Sequence, residues 1–466
     1  MYDWVDCSTK SSIFDADFIK CHFTKSANSI KRHLIATMDK LLIKQILLDQ
    51  KHTLQSYEIE PRNYTIDPHL NYVFVGVRRA GKSYMLYHVI HQLVATGRSW
   101  DEVLYMNFED ERLENFTTTD FATLIECHQE LYGIEHPVIF LDEMQNISGW
   151  EKFARRMADS KAHIMLTGSN AKMLSREIMG TLGGRFVPMD IYPYSFAEML
   201  NILHIRCDEH AMLQTNLRSD IIRQFDIYLH WGGMPETAHV TQKRQYLSSV
   251  YQKIYLNDIA ARSRISNLPA LRLMVKKVAD SLGQPISYNR LGNIVSTING
   301  KISVPTIQTY ISAVEEAWLL LRLRNIAASV TERESVCKYY FVDNGFLNLF
   351  LFDGETALLE NQVALELFRR YGHDLENDTV YFYNNGAEVD FYIPSEEWAI
   401  QVCYSLTDPQ TLKREKEGLL KIAKALPCRR RTIITYDTTD VMHDEQGEID
   451  VIPCWRWLLN TSHSRL

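Results

Sequence analysis

Short uninterrupted apolar runs, each closed by polar residues or glycine, set the rhythm of the first 200 positions. Tyr72–Val75, the run opening VLYMNFEDERL, Val138–Leu141 and the run within AHIMLTGSN each read as a buried strand. A strand covered on both faces shows continuous hydrophobicity rather than alternation. Tyr84–Val94 instead carries helical periodicity, as do SFAEMLNILHI, SDIIRQFDIYLHW and SVYQKIYLNDIAARSRI farther on. The second of these ends at the Gly232-Gly233 break. In the last, Asp258 and Arg262 are spaced for an i,i+4 pair. Glu198 falls in the first turn of its helix, where a negative charge is favourable.

From 284 the pattern becomes helix, turn, helix, strand. Ile298-Asn299-Gly300 makes the turn, and Ser303 with Pro305 starts the second helix. Val304, Ile307, Ile311, Val314 and Trp318 share one face of that helix. The last third reads as the strand KYYFV ending at Asp343-Asn344-Gly345, then a helix holding Leu358, Val363, Leu365 and Leu367, with Glu360 near its start. The hairpin VYFYNNGAEVDFYI turns at Asn384-Asn385-Gly386, and the strand WAIQVCYSL follows.

The candidate chemistry sits at the ends of the first strands. Gly76-Val-Arg-Arg79-Ala80-Gly81-Lys82-Ser83, between a strand and a helix that opens at Tyr84, fits G-x-x-x-x-G-K-[ST]. In such a loop the backbone N–H groups and the helix N-terminus face phosphates. Lys82 then reaches the β- and γ-phosphates, and the Ser83 hydroxyl ligates Mg²⁺. Asp142-Glu143 closes the apolar run at 138–141, at the strand end that faces the ligand crevice in α/β sheets. Asp142 there would complete the metal shell, and Glu143 would orient or deprotonate an attacking water. Asn170 or Ser169, at the end of the next strand, is the candidate sensor of the γ-phosphate; Asn170 equally suits the cap of a helix beginning at Ala171. Glu109 either faces the nucleotide or opens a turn.

Composition narrows the classes. A length of 466 residues suggests about three domains, and 46% hydrophobic with 23% charged residues is ordinary globular usage. No segment approaches the ~20 apolar residues of a membrane span, and the N-terminal residues carry no export-type apolar stretch. The eight cysteines are scattered singly, without metal-ligand spacing. A cytoplasmic location is expected. The net charge of −8 argues against a generally basic nucleic-acid surface, leaving the stretch 413–431 as the densest basic patch, read as a solvated amphipathic helix and its exit.

The stretches GVRRAGKS, NFEDERL, VIFLDEMQ, LTGSNAKMLS, GGRFVPMDIYPYSFAEML and WGGMPE come in one order that resembles the AAA+-type ATPases of bacteria and archaea. Those ATPases carry a C-terminal domain of long-unassigned function, related in fold to restriction-type nucleases. The resemblance spans residues 35 to 460 and implies an α/β fold of four parts. These are a P-loop NTPase core with a parallel sheet (36–200), a helical lid and connector (201–265), a winged helix-turn-helix segment (266–330) and a restriction-endonuclease-like α/β domain (331–466). Residues 1–35 stay unassigned. It also implies ATP with Mg²⁺ as ligands and suggests Arg185, in LGGRF, as a residue meeting γ-phosphate charge from a neighbouring element or subunit.

In the nuclease-like part, an Asp on one strand, an acid on the next and a lysine two positions on would be needed to hold Mg²⁺ and stabilise developing charge. Asp390 takes the first place, with Glu388 on the same strand face and Glu360 on the preceding helix. Gln401 takes the second place, where a carboxamide is a poor ligand for a hard dication. Cys403 takes the lysine's place, leaving a lysine to come from elsewhere, such as Lys413. The expectation is therefore a degenerate nuclease site. The winged helix, poor in basic residues, reads either as a DNA contact or as a packed linker.

The resulting reading is an ATPase that couples hydrolysis to movement of a C-terminal interaction domain, with a homo-oligomer and a DNA or protein partner as open possibilities. The alternatives are an ATP-regulated DNA-binding protein or nuclease, and a nucleotide switch with little turnover.

Overall fold

The computed structural model describes residues 38–67, 69–174, 176–352, 354–372 and 379–460, so the N-terminal segment 1–35 lies outside the described residues. The apolar runs form a five-stranded sheet of β1 (Asn71–Val75), β2 (Val103–Asn107), β3 (Val138–Asp142), β4 (Ile164–Gly168) and β5 (Phe186–Asp190). Its order is β2-β3-β4-β1-β5, and every pairing is parallel. Every residue of β3 and β4 is buried, which is why their sequences run apolar without alternation. Parallel strands expose all their C-terminal ends at one edge. The insertion of β4 between β1 and β3 therefore brings the loops after residues 75, 142 and 168 together.

The second sheet has nine strands. They are β6 (Ile286–Ser287), β7 (Leu320–Asn325), β8 (Val336–Phe341), β9 (Tyr381–Asn384), β10 (Glu388–Ile393), β11 (Trp398–Val402), β12 (Arg430–Thr435), β13 (Asp440–Asp444) and β14 (Gly447–Pro453). The order is β13-β14-β12-β11-β10-β9-β7-β8-β6, with parallel and antiparallel pairings mixed. The helix-turn-helix is present as Tyr288–Asn299 and Val304–Glu316, the second capped by the Ser303 side chain with Pro305 in its first turn. Its strands β6 and β7 are paired with β8, so the sheet runs without interruption from the helix-turn-helix into the C-terminal strands. The hairpin β9–β10 turns as expected, with Gly386 in the left-handed region at φ 71°.

Between the sheets, helix Thr215–Trp231 stops at Gly232, and helix Lys243–Lys253 follows. The expected single helix through 249–265 instead changes register: Ile254–Ala261 is π-helical. Asp258 lies in that segment, and its carboxylate takes the Arg78 guanidinium (2.8 and 3.2 Å) in addition to the expected contact with Arg262 at 3.4 Å. One buried apolar cluster extends from Ile43 to Leu459, with a smaller one under helix Pro409–Ala425. No helix among the described residues is long and apolar enough to cross a membrane.

Candidate nucleotide site

The glycine-rich loop joins the end of β1 at Gly76 to helix Lys82–Ala95. Gly81 precedes that helix at φ 95°, a conformation costly for any residue with a Cβ, and no side chain caps the helix start. A helix start without a side-chain cap leaves its first N–H groups for an anion. Arg79 is also left-handed, at φ 65°, and its exposed side chain pairs with Glu236 at 3.0 Å. Ala80 is buried, and its N–H donates to the Val77 carbonyl at 3.2 Å. Tyr84 is 47% exposed, with the rings of Tyr57 and Tyr87 5.5 and 5.3 Å away. Glu109 sits beside the loop, accepting from Arg78 at 2.6 Å and pairing with Lys253 at 3.6 Å.

Lys82 is buried; its Nζ donates to the Val77 carbonyl at 3.1 Å and lies 3.9 Å from Glu143. Burial pushes this ammonium below the usual lysine range, against the pull of Glu143 and Asp142. Asp142 is fully buried at the tip of β3 and accepts from the hydroxyls of Tyr105 (3.0 Å) and Thr167, and the nearby Ser83 hydroxyl helps favour its charged form. Burial, then the neighbouring Glu143 charge, push its carboxyl up to about 6. Glu143 is left-handed, at φ 56°, a backbone state non-glycine residues seldom adopt. Its N–H donates to Thr167 Oγ1 at 2.9 Å, and its carboxylate accepts from the Gln145 amide. Gln145 also donates to Ser169 Oγ at 3.2 Å and accepts from the Ser169 N–H at 3.3 Å. Asn170 is buried, and its main-chain carbonyl accepts the Met173 N–H at 3.0 Å.

Lys82, Ser83, Asp142, Glu143, Ser169 and Asn170 thus stand on one sheet edge. Two side chains there escaped sequence reasoning. Thr167, rather than either candidate sensor, is the hydroxyl bonded to Asp142, and Gln145 links Glu143 to Ser169. A polar residue in the penultimate place of a buried strand was the available signal for Thr167.

Arg185 stands apart from that edge. It immediately precedes β5, whose Phe186 pairs with Asn71, the first residue of β1, and the Asn71 amide donates to the Arg185 carbonyl at 3.2 Å. The loop begins at the other end of β1, some 15 Å away at ~3.3 Å per strand residue. The Arg185 guanidinium bonds the Gly183 carbonyl (3.1 Å) and Asp159. It cannot meet the γ-phosphate of its own loop, which corrects the reading of Arg185 as a neighbouring element within one chain.

The C-terminal carboxylates do converge, but around a cation of the chain itself. Lys338, fully buried on β8, places Nζ 2.8 Å from Glu388, 3.4 Å from Asp390 and 3.7 Å from Glu360. Burial pulls this ammonium down, yet Glu360, Asp390 and Glu388 outweigh it and hold it above the usual lysine range. Burial and Asp390 push Glu360 up to about 7, although it accepts from Tyr340 Oη at 2.7 Å. Gln401 faces the protein backbone: it accepts from the Asp390 N–H at 2.9 Å and donates to the Glu388 carbonyl at 3.0 Å. Burial pushes the Cys403 thiol up to about 12, so it is uncharged at neutral pH. Lys413, the expected alternative lysine, is 77% exposed and pairs with Glu417 at 3.8 Å; the lysine of this cluster is Lys338. Among the described residues no group of three or more His, Cys, Asp or Glu side chains is arranged to hold a metal ion.

Residues 69–200 match the family described as AAA domain, and residues 222–356 match a domain of unknown function, DUF8612. The chain is 29% identical to an uncharacterized protein of Methanocaldococcus jannaschii over 433 residues, 90% of this chain and 96% of that one. It is also 29% identical to an uncharacterized protein of Haemophilus influenzae over 401 residues, 83% and 94% of the two chains. Among solved structures, the Aeropyrum pernix ORC1 protein in complex with DNA aligns at 12% identity and TM-score 0.31, covering 72% of this chain and 95% of that one. AMPPCP-bound DnaA from Aquifex aeolicus aligns at 14% identity and TM-score 0.22, covering 57% and 85%. Superpositions this loose carry nothing across to this chain. Residues 69–200 are similar to an AAA domain, and the DUF8612 match gives no support to a restriction-endonuclease-like assignment for the strands beyond it.

Proposed function

We propose that the chain binds ATP with Mg²⁺ at the Gly76–Ser83 loop, hydrolyses it, and uses turnover to rearrange the second sheet as an interaction module. The observation that carries this reading is the 3.9 Å approach of Lys82 to Glu143, beside a fully buried Asp142 at the tip of β3. The donor set fits the metal: a hydroxyl and a carboxylate are the hard oxygen ligands that Mg²⁺ takes alongside phosphate oxygens. When bound, the ion neutralises charge on the β- and γ-phosphates. The chain's own residues then have distinct tasks. The N–H groups of Arg79, Gly81, Lys82, Ser83 and Tyr84 bind phosphate oxygens, the Ala80 N–H being spent within the loop on the Val77 carbonyl, and the Lys82 ammonium supplies positive charge to them. Glu143 orients the attacking water and accepts its proton. Thr167 fixes both acids, since it bonds the Asp142 carboxylate and the Glu143 N–H. Asn170 or Ser169, following β4, senses the γ-phosphate, and Arg185 serves the loop of a second copy in a homo-oligomer.

The second sheet binds a macromolecular partner, protein or DNA, without cutting it. Lys338 supports that part, because its ammonium already occupies the charge well formed by Glu360, Glu388 and Asp390. One contact favours a second reading, a nucleotide switch with little turnover: the Gln145 amide holds the Glu143 carboxylate.

Phosphate release measured with Mg²⁺-ATP tests the proposal. Lys82→Ala is expected to abolish nucleotide binding. Glu143→Gln is expected to bind ATP but to lose roughly 10²-fold or more in turnover. Turnover unaffected by Glu143→Gln would reject the assigned base, and wild-type protein that binds no ATP would reject the site.

A further inference from the structure

The phosphate loop is held from outside by a side chain that lies before β1. Arg62 is 8% exposed and uses its whole guanidinium. Nε and Nη2 fork onto the two Glu198 oxygens at 3.0 Å each, Nη2 also donates to the Tyr192 carbonyl at 2.9 Å, and Nη1 donates to the Ala80 carbonyl at 3.0 Å. Its plane lies 5.1 and 4.9 Å from the ring centres of Tyr64 and Tyr194. Glu198 is itself fixed, accepting from the N–H groups of Ser195 (2.8 Å) and Asn63 (3.3 Å). Planarity, four hydrogen bonds and two adjoining rings leave the guanidinium one orientation.

The consequence for the loop follows from peptide geometry. In a trans peptide the C=O and the next N–H point in opposite directions across one rigid plane. The Ala80 carbonyl is drawn outward onto Arg62, so the Gly81 N–H of the same plane is turned inward. Gly81 tolerates this at φ 95° because it has no side chain. A loop without Arg62 keeps its glycines but loses the restraint on this plane, and a phosphate must then order it on binding.

We propose that Arg62, held by Glu198, is a positioning residue for nucleotide: it aims the Gly81 N–H at a phosphate oxygen, so ATP affinity depends on a side chain that never touches ATP. The inference rests on the ATP-binding reading above. An N–H that binds phosphate equally before and during reaction contributes uniform binding, which appears in KM and not in kcat.

The test compares Mg²⁺-ATP kinetics and ATP dissociation constants for wild type, Arg62→Gln, Arg62→Lys and Glu198→Gln, together with thermal melting of each. Arg62→Gln is expected to raise KM and Kd about tenfold, the worth of one charge-assisted bond, at unchanged kcat. Arg62→Lys keeps one charged donor and is expected to recover part of the affinity. Glu198→Gln, which loosens the clamp without removing the Ala80 contact, is expected to fall between wild type and Arg62→Gln. A merely structural residue behaves otherwise: fewer folded molecules lower apparent kcat at unchanged KM. Should Arg62→Gln fail to fold, Arg62→Lys and Glu198→Gln decide, since a wild-type KM in both overturns the proposal. Wild-type protein without ATP affinity overturns the ATP reading itself. Wild-type affinity in Arg62→Gln overturns only the role of Arg62.

Discussion

Gly233 and Asp343, 110 residues apart, are joined by a 2.7 Å hydrogen bond from the Gly233 N–H to a buried carboxylate oxygen. The other oxygen accepts from the Gly345 N–H at 2.8 Å, and the Gly233 carbonyl accepts from the Tyr194 N–H at 2.7 Å. The approach is so close that a Cβ on Gly232 would stand 2.0 Å from Asp343 Oδ1. Three residues on, Glu236 pairs with Arg79 of the phosphate loop at 3.0 Å and accepts from Tyr246 at 2.8 Å. The Gly232–Glu236 turn therefore touches the nucleotide loop at one end and the second sheet at the other. It joins them through an ion pair at one end and a hydrogen bond at the other, so a shift of Arg79 toward phosphate would strain its pair with Glu236.

That junction is expected to titrate. Burial pushes Asp343 up to about 7, against the N–H bonds from Gly233 and Gly345 and the Arg369 charge, whereas an exposed aspartate titrates near 3.9. Folding then takes up a proton between those two values. The stabilisation is complete below about pH 4 and is lost as pH rises through about 7, with a slope of about 1.4 kcal/mol per pH unit in between. Urea midpoints from about pH 5 to about pH 8 should therefore fall more steeply for wild type than for Asp343→Asn, which has no proton to exchange. Parallel profiles for the two proteins would remove Asp343 as the source.

The carboxylate cluster on the second sheet makes a different forecast. Removing the one cation from among three acids leaves uncompensated buried charge, and breaking a buried ion pair in this way costs about 3–5 kcal/mol. Lys338→Met is expected to lose stability on that scale in chemical denaturation. Because Glu360, Glu388 and Asp390 are then left without the Lys338 ammonium, millimolar Mg²⁺ is expected to restore part of the loss in Lys338→Met and to leave wild type unchanged. Equal Mg²⁺ responses in both proteins would show that Lys338 does not stand where a dication could.

Gln145 offers a readout of the switch reading. Its amide engages the Glu143 carboxylate and, at 3.2 Å, Ser169 on the neighbouring strand end. Gln145→Ala frees the carboxylate to meet water, so basal phosphate release is expected to rise several-fold at unchanged ATP affinity. A fall in turnover would instead make Gln145 part of the productive arrangement.

The parts of this molecule that could be read in advance are those written in contiguous residues. The apolar runs of β1, β3 and β4, the loop at 76–83 and the acidic tip at 142–143 each carry their reason locally. So does the missing charge at Gln401, since a carboxamide is neutral in any fold, whereas the neutrality of Cys403 depends on its burial. What sequence could not supply was who faces whom. Lys338 meets Asp390 across 52 residues, Arg62 meets Glu198 across 136, and Arg78 meets Asp258 across 180. A lysine inside the apolar run VCKYYF was the one visible sign that a buried cation needed acids nearby. The π-helical register at 254–261 leaves no mark in composition at all, because one extra residue per turn changes which side chains align, not which are present.

Arg185 supplies the sharpest test of assembly. It sits at the sheet edge opposite the phosphate loop, with its carbonyl fixed by Asn71 and its guanidinium turned to Gly183 and Asp159. Its side chain is 35% exposed, so it is available to another molecule though not to its own nucleotide. If it serves the loop of a second copy, Arg185→Ala is expected to bind ATP normally while turning over about a thousandfold more slowly, the scale of an arginine supplied in trans. The decisive measurement mixes two defective proteins. Arg185→Ala keeps a complete loop and lacks the arginine; Lys82→Ala keeps the arginine and lacks the loop. Mixed assemblies contain interfaces at which an intact loop meets an intact Arg185, so phosphate release is expected to reappear on mixing and to grow with total protein concentration. Mixtures no more active than their parts, or an Arg185→Ala protein as active as wild type, would leave Arg185 as a surface partner of Asp159 and nothing more.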